Sequence, residues 1–160
     1  MCWRTTDRPL AAFGRGFLYA ARGVAYCVRT QRNFRFHLVA AVYVLGLAPR
    51  FLESTAQWAV LILTVAAVLA AEALNTALEQ AVDLACPRRD ARAGIAKDAA
   101  AAAVLLCALG AAGVGVCLFS RPDAWRALMA LWAGEWWRPA LLAASVLPNV
   151  WFIFGFNRVK

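Results

Sequence analysis

Trp58-Ala-Val-Leu-Ile-Leu-Thr-Val-Ala-Ala-Val-Leu-Ala-Ala-Glu72-Ala-Leu-Asn75-Thr76-Ala-Leu-Glu79-Gln-Ala-Val-Asp83-Leu84 is hydrophobic enough to enter a bilayer, yet its second half carries three carboxylates and an asparagine. At about 100° per residue, Glu72, Asn75, Glu79 and Asp83 fall near 0°, 300°, 340° and 20° on a helical wheel, with Thr76 near 40°. All five therefore share one side of an α-helix. At ~1.5 Å per residue the stretch covers roughly 40 Å, more than the ~30 Å hydrocarbon layer, so its acidic end is expected to reach the headgroups. Ionisable groups at that depth are costly and usually functional. A one-sided row of carboxylates with amide and hydroxyl groups suits a divalent cation and a phosphate, because Mg²⁺ takes oxygen ligands and commonly shares them with substrate phosphates. The competing reading is a polar seam that joins helices.

The rest of the chain fits a membrane setting. It has 160 residues, 63% of them apolar, and a mean hydropathy of +0.61, which is too greasy for a typical soluble domain. Lys and Arg total 17 against 9 acids, for a net charge of +8. Such a balance suits nucleic acid or anionic lipid. The apolar spans decide for lipid, and no basic, aromatic-interleaved soluble module speaks for nucleic acid. Cys2, Cys27, Cys86, Cys107 and Cys117 form no C-x-x-C pair and read as small core residues. Arginines recur through the amino-terminal region where a signal peptide would need an apolar run, so the first membrane segment is expected to direct insertion.

Residues 10–29 place Arg15, Arg22 and Arg29 on one helical face and Phe13, Phe17, Val24 and Val28 on the other, the pattern of a helix lying in the headgroup layer. Phe36–Leu52 reads as a short first span closed by Pro49 and Arg50, Trp58–Leu84 as the second, and about Asp98–Phe119 as the third, after a polar connection Cys86–Ala96. Arg4, Arg8, Arg15, Arg22, Arg29, Arg32 and Arg35 precede the first span, and Arg88, Arg89, Arg92 and Lys97 lie between the second and third. The connection after the first span holds only Arg50. Positive-inside asymmetry places the amino terminus, the acidic end of the second span and Lys97-Asp98 on the cytosolic side. Beyond Phe119, residues 121–138 mix tryptophans with charges as an interfacial segment does, and Pro139–Phe156 reads either as a fourth, kinked span or as a membrane-surface hairpin. The expected fold is thus an all-α membrane protein divided as 1–35 (amphipathic surface helix), 36–119 (three-span core) and 120–160 (Trp-rich extension).

Glu72-Ala-Leu-Asn-Thr-Ala-Leu-Glu-Gln-Ala-Val-Asp83 and Ala96-Lys97-Asp98-Ala-Ala-Ala-Ala-Ala-Val104 resemble the two signature motifs of the prokaryotic diacylglycerol kinase and undecaprenol kinase family. Arg32-Asn33-Phe34-Arg35-Phe36-His37 looks like the segment that leads into the first span of its Gram-positive-type members. The resemblance covers roughly residues 13–119. It implies a homotrimeric, multi-pass enzyme of the bacterial inner membrane that moves the γ-phosphate of MgATP onto a lipid hydroxyl on the cytosolic side. By motif position it makes Glu72 the general base and assigns Asn75 and Glu79 to metal and phosphate. Lys97 would meet the nucleotide phosphates, with Asp98 in the same polar cluster, and Asp83 and Thr76 would have positioning roles. Arg32 and Arg35 either bind ATP or lipid phosphate through their forked donors or enforce orientation.

No G-x-x-x-x-G-K-[ST] loop occurs, but phosphoryl transfer needs mainly positioning, charge neutralisation and a proton acceptor. One position departs from the family pattern: many members carry a metal-binding glutamate where this chain has Gln31, which offers an oxygen without a charge. That departure keeps a catalytically impaired scaffold in view, and the acidic stripe keeps an ion or solute pathway in view. Asn75-Thr76 and Arg32-Asn33-Phe34 look more like undecaprenol kinases than Gram-negative diacylglycerol kinases. His37, the only histidine, reads as an interfacial hydrogen-bonding residue.

Overall fold

Helices form wherever the apolar pattern runs unbroken and stop where a cap or proline interrupts it. The computed structural model describes residues 9–134 and 137–155, and the regular elements there are α1 (Pro9–Thr30), α2 (Arg32–Leu47), a 3₁₀ turn (Ala48–Arg50), α3 (Thr55–Ala85), α4 (Ala91–Phe119), α5 (Pro122–Ala133) and α6 (Trp137–Phe154). Cys2, Arg4, Arg8, Glu135, Trp136, Phe156, Arg158 and Lys160 lie outside the described residues, so the expected return of the last two to the cytosol does too.

Two boundaries differ from the sequence reading. Helix α1 covers the 10–29 stretch read as one helix, but the next helix starts at Arg32 and not at Phe36, because extended Gln31 (φ −104°, ψ 111°) ends α1 and lets α2 begin there. The third apolar segment starts not near Asp98 but at Ala91, because the Asp90 side chain accepts from Arg92 N at 2.7 Å and caps the helix there. The connection from α3 shrinks to Cys86–Asp90, with Pro87 unable to continue the helix. At the start of α3, Ser54 and Gln57 form a reciprocal capping box: Gln57 N donates to Ser54 Oγ (3.2 Å) and Ser54 N to Gln57 Oε1 (3.1 Å).

Among the described residues, α3 and α4, of 31 and 29 residues, are the two helices long and apolar enough to cross a membrane, and their most apolar 18-residue stretches have mean hydropathies of 1.9 and 2.4. At ~1.5 Å per residue they reach roughly 46 and 44 Å. With 16 residues, α2 is shorter, and Pro139–Phe154 forms another shorter apolar helix. Ile62, Leu63, Leu106 and Leu109 point outward and are exposed, a surface suited to lipid and not to water.

α3 and α4 pack along one another, α2 lies against α3, and α6 against α2. Arg35 at the start of α2 meets Ile153 at the end of α6, whereas Tyr43 further along α2 meets Ser145, so α6 runs antiparallel to α2. One end of the bundle thus gathers the start of α2, the end of α3, the start of α4 and the end of α6. At the other end, Ala48, Phe51, Leu52, Leu61, Leu118 and Leu128 form the apolar core, to which α5 contributes Leu128. Phe51 stacks edgewise on Trp125 (4.9 Å between centroids) and tilts against Phe119 (5.2 Å).

Candidate active site

The stripe on α3 lies at the end opposite that core. Glu72 is 3% exposed, and Thr76, one turn on, donates its hydroxyl to the Glu72 carbonyl at 2.9 Å. Thr76 is buried and its hydroxyl is engaged on backbone, so it shapes the helix beside Glu72. Asn75 Nδ2 donates to Glu79 Oε1 at 3.0 Å, which leaves Asn75 Oδ1 buried with no donor. Glu72 Oε1 is likewise buried without a hydrogen bond; His37 Nε2 lies 3.3 Å away, close enough to pair electrostatically but outside hydrogen-bonding geometry. Two oxygens aimed into the interior without donors are unusual and ask for a ligand or a cation.

These groups face a cavity of about 360 Å³. Asn33, His37, Glu72 and Asn75 make its polar wall, and Val104 and Leu105 of α4 contribute to its apolar one. The boundary between polar and apolar walls is what the head and tail of an amphiphilic alcohol require.

The far end of the stripe belongs to a second site. Asp83, roughly 16 Å along the helix from Glu72, accepts from Lys97 Nζ at 2.5 Å. Both line a cavity of about 500 Å³ at the α3–α4 connection together with Arg88 and Arg89. Three cations against two acids, Asp83 and Asp90, give this cavity a positive balance, the electrostatics a polyphosphate would meet favourably. Asp98, next to Lys97, is exposed.

The structure therefore brings Glu72, Asn75, Thr76 and Glu79 together and pairs Asp83 with Lys97. It does not bring Gln31 and Arg32 to them: the Gln31 side chain makes no hydrogen bond among the described residues, and the Arg32 guanidinium lies 5.7 Å from the Phe154 ring centroid. Among the described residues no three His, Cys, Asp or Glu side chains converge as a closed metal site. The donor set still fits a hard cation, since Asn75 Oδ1 and the Glu79 carboxylate are oxygens within one helical turn, and Mg²⁺ needs only one or two carboxylates when phosphates supply further ligands.

Sequence reasoning missed the partners of two residues. His37, interfacial by sequence, stands against Glu72; the signal is its place four residues past Asn33 in a helix, but its partner is 35 positions away (72 − 37) and no spacing rule joins them. Arg35, by sequence a phosphate-binding or orienting candidate, is instead 1% exposed, with its guanidinium donating to the carbonyls of Val28, Arg29 and Ile153. The apolar neighbours Phe34 and Phe36 were the available hint that it points inward.

Residues 18–119 match the family described as prokaryotic diacylglycerol kinase. The chain is 47% identical over 121 residues to a diacylglycerol kinase of Synechocystis sp., across 75% of this chain and 67% of that protein. It is 37% identical over 110 residues to an undecaprenol kinase of Bacillus subtilis, across 69% of this chain and 89% of that protein. No solved structure matches it significantly.

Proposed function

The chain belongs to the prokaryotic diacylglycerol kinase family and is a lipid kinase, and from that premise we propose that it transfers the γ-phosphate of ATP to the hydroxyl of undecaprenol or diacylglycerol. The observation that carries this reading is Glu72: a buried carboxylate with an unfilled oxygen, on the border of a cavity polar on one side and apolar on the other.

Glu72 takes the hydroxyl proton of the lipid as its oxygen attacks the γ-phosphorus, and the bond from that phosphorus to the β–γ bridging oxygen breaks. His37 holds the Glu72 carboxyl in place from the neighbouring helix. Asn75 keeps Glu79 oriented through its amide hydrogen bond. Lys97, released from or shared with Asp83, meets the nucleotide phosphates together with Arg88 and Arg89. Glu79 and Asn75 would hold Mg²⁺, which would neutralise phosphate charge when bound, while Gln31, which is not in contact with them, would leave its end of the site without the charge that many members carry. Asp98 contributes to the field around the phosphates, and Arg32 offers a further cation at the membrane surface.

The protein sits in the bacterial inner membrane as a multi-pass homotrimer with this site facing the cytosol. Support comes from Arg88, Arg89, Arg92 and Lys97 clustering at the α3–α4 connection. Only 22% and 11% of the most apolar windows of α3 and α4 are buried within one chain, which leaves wide surfaces for lipid and sister subunits. Purified protein given γ-labelled ATP and Mg²⁺ should label undecaprenol or diacylglycerol when the two are assayed side by side. Absence of label on both would refute the reading.

A further inference from the structure

Helix α6 lies wholly outside residues 18–119, the part matched by the family, yet it reaches the site end of the bundle. Its contact there is Arg35. The guanidinium is 1% exposed and faces carbonyls from two helix ends: Nη1 donates to Val28 O (3.0 Å) and Arg29 O (3.3 Å) of α1, while Nε and Nη2 both donate to Ile153 O of α6 (3.1 and 2.8 Å). Carbonyls at a helix carboxyl end lack intrahelical partners and carry partial negative charge, so a forked cation is their natural complement.

A second contact latches α6 halfway along. Ser145 Oγ donates to Leu142 O (2.7 Å), which makes Tyr43 OH the donor in its 2.6 Å bond to Ser145 Oγ. Asn149 Nδ2 then donates to Tyr43 OH and to Ser145 O, both at 2.8 Å, beside the break in backbone bonding that Pro148 imposes. An interhelical polar network in otherwise apolar surroundings ties one register of α6 to α2.

We propose that α6 is a positioning element of the kinase site: by presenting the Ile153 carbonyl to Arg35 it fixes the first turns of α2, and with them His37 against Glu72. Without that carbonyl, two donors of a buried guanidinium lose their acceptor, a state costly enough that the start of α2 and the end of α1 rearrange to relieve it. His37 lies two residues beyond Arg35 and moves with it. The kinetic consequence rests on the kinase reading, and the structural consequence does not.

Cys27 reports the structural half independently. It is 5% exposed and directly precedes Val28, whose carbonyl Arg35 holds. Two variants of the full chain disturb α6 without touching the site: Tyr43→Phe with Asn149→Leu, which removes the latch, and Gly155→Ala, whose added Cβ would lie 2.9 Å from the Trp151 carbonyl and shift the end of α6. In purified protein, maleimide labelling of Cys27, read by peptide mass against Cys86, should rise several-fold in both. Turnover should fall roughly 10- to 100-fold while the KM for ATP stays within about twofold, the signature of lost positioning. Unchanged Cys27 labelling in both variants overturns the proposal, as does variant turnover equal to that of an active wild type. If wild type phosphorylates neither lipid while Cys27 responds as described, the kinase reading falls and the tether stands.

Discussion

The two ends of this bundle solve opposite problems. Around Phe51, side chains are apolar and the charges stay outside, where Arg121 bridges Glu53 and Asp123 and holds the exposed Asp123 carboxyl below the usual carboxylate range. Around Glu72, charged groups are inside, oxygens lack donors, and cavities remain open. Leu61 of the Phe51 cluster and Glu72 stand roughly 16 Å apart along α3, so one helix carries the apolar cluster and the candidate site at different levels. The Phe51 cluster is wholly apolar, and the Glu72 end carries polar groups that such a core would exclude.

That contrast can be broken in four places. The largest effect should follow Glu72→Gln, which keeps shape but cannot take a proton: turnover should drop about 100- to 10,000-fold with the oligomer unchanged by size exclusion. Near-native turnover would remove Glu72 from its role as base. At the opposite end, Phe51→Ala should lower unfolding stability in detergent by about 3–5 kcal/mol, since the ring is fully buried. The turnover of what remains folded should not change, and a matching loss of turnover would erase the division between the two ends.

Lys97→Met should reduce kcat/KM for ATP about 10- to 100-fold, less than loss of a buried oxyanion donor because the side chain is 35% exposed. An unaltered ATP requirement would mean that Lys97 serves only to pair α4 with Asp83. The smallest change should come from Gln31→Glu, which restores a charge at the departure from the family pattern and should lower the Mg²⁺ concentration at half-maximal activity a few-fold. A requirement that stays the same or rises would separate Gln31 from the metal.

Much of the site was legible because it is local. Glu72, Asn75, Thr76 and Glu79 lie within two turns of one helix, so the 100° rule alone places them together. The Asp83–Lys97 pair was partly legible, since a short connection between two long apolar helices returns the chain beside itself. The start of α4 was misjudged because hydropathy falls at Arg92 and Lys97, whereas helix formation follows the cap at Asp90. The partners of His37 and Arg35 were illegible, because they come from helices far away in sequence.

Periodicity and hydropathy are properties of neighbouring residues, and they suffice to read a membrane-type helical chain with an acidic stripe on one span. Which groups meet across helices depends on packing: that Arg35 finds Ile153, that Glu72 finds His37, and that α6 folds back along α2. A buried polar group must take whatever partner the assembled fold supplies, and that supply exists only once the helices are in contact.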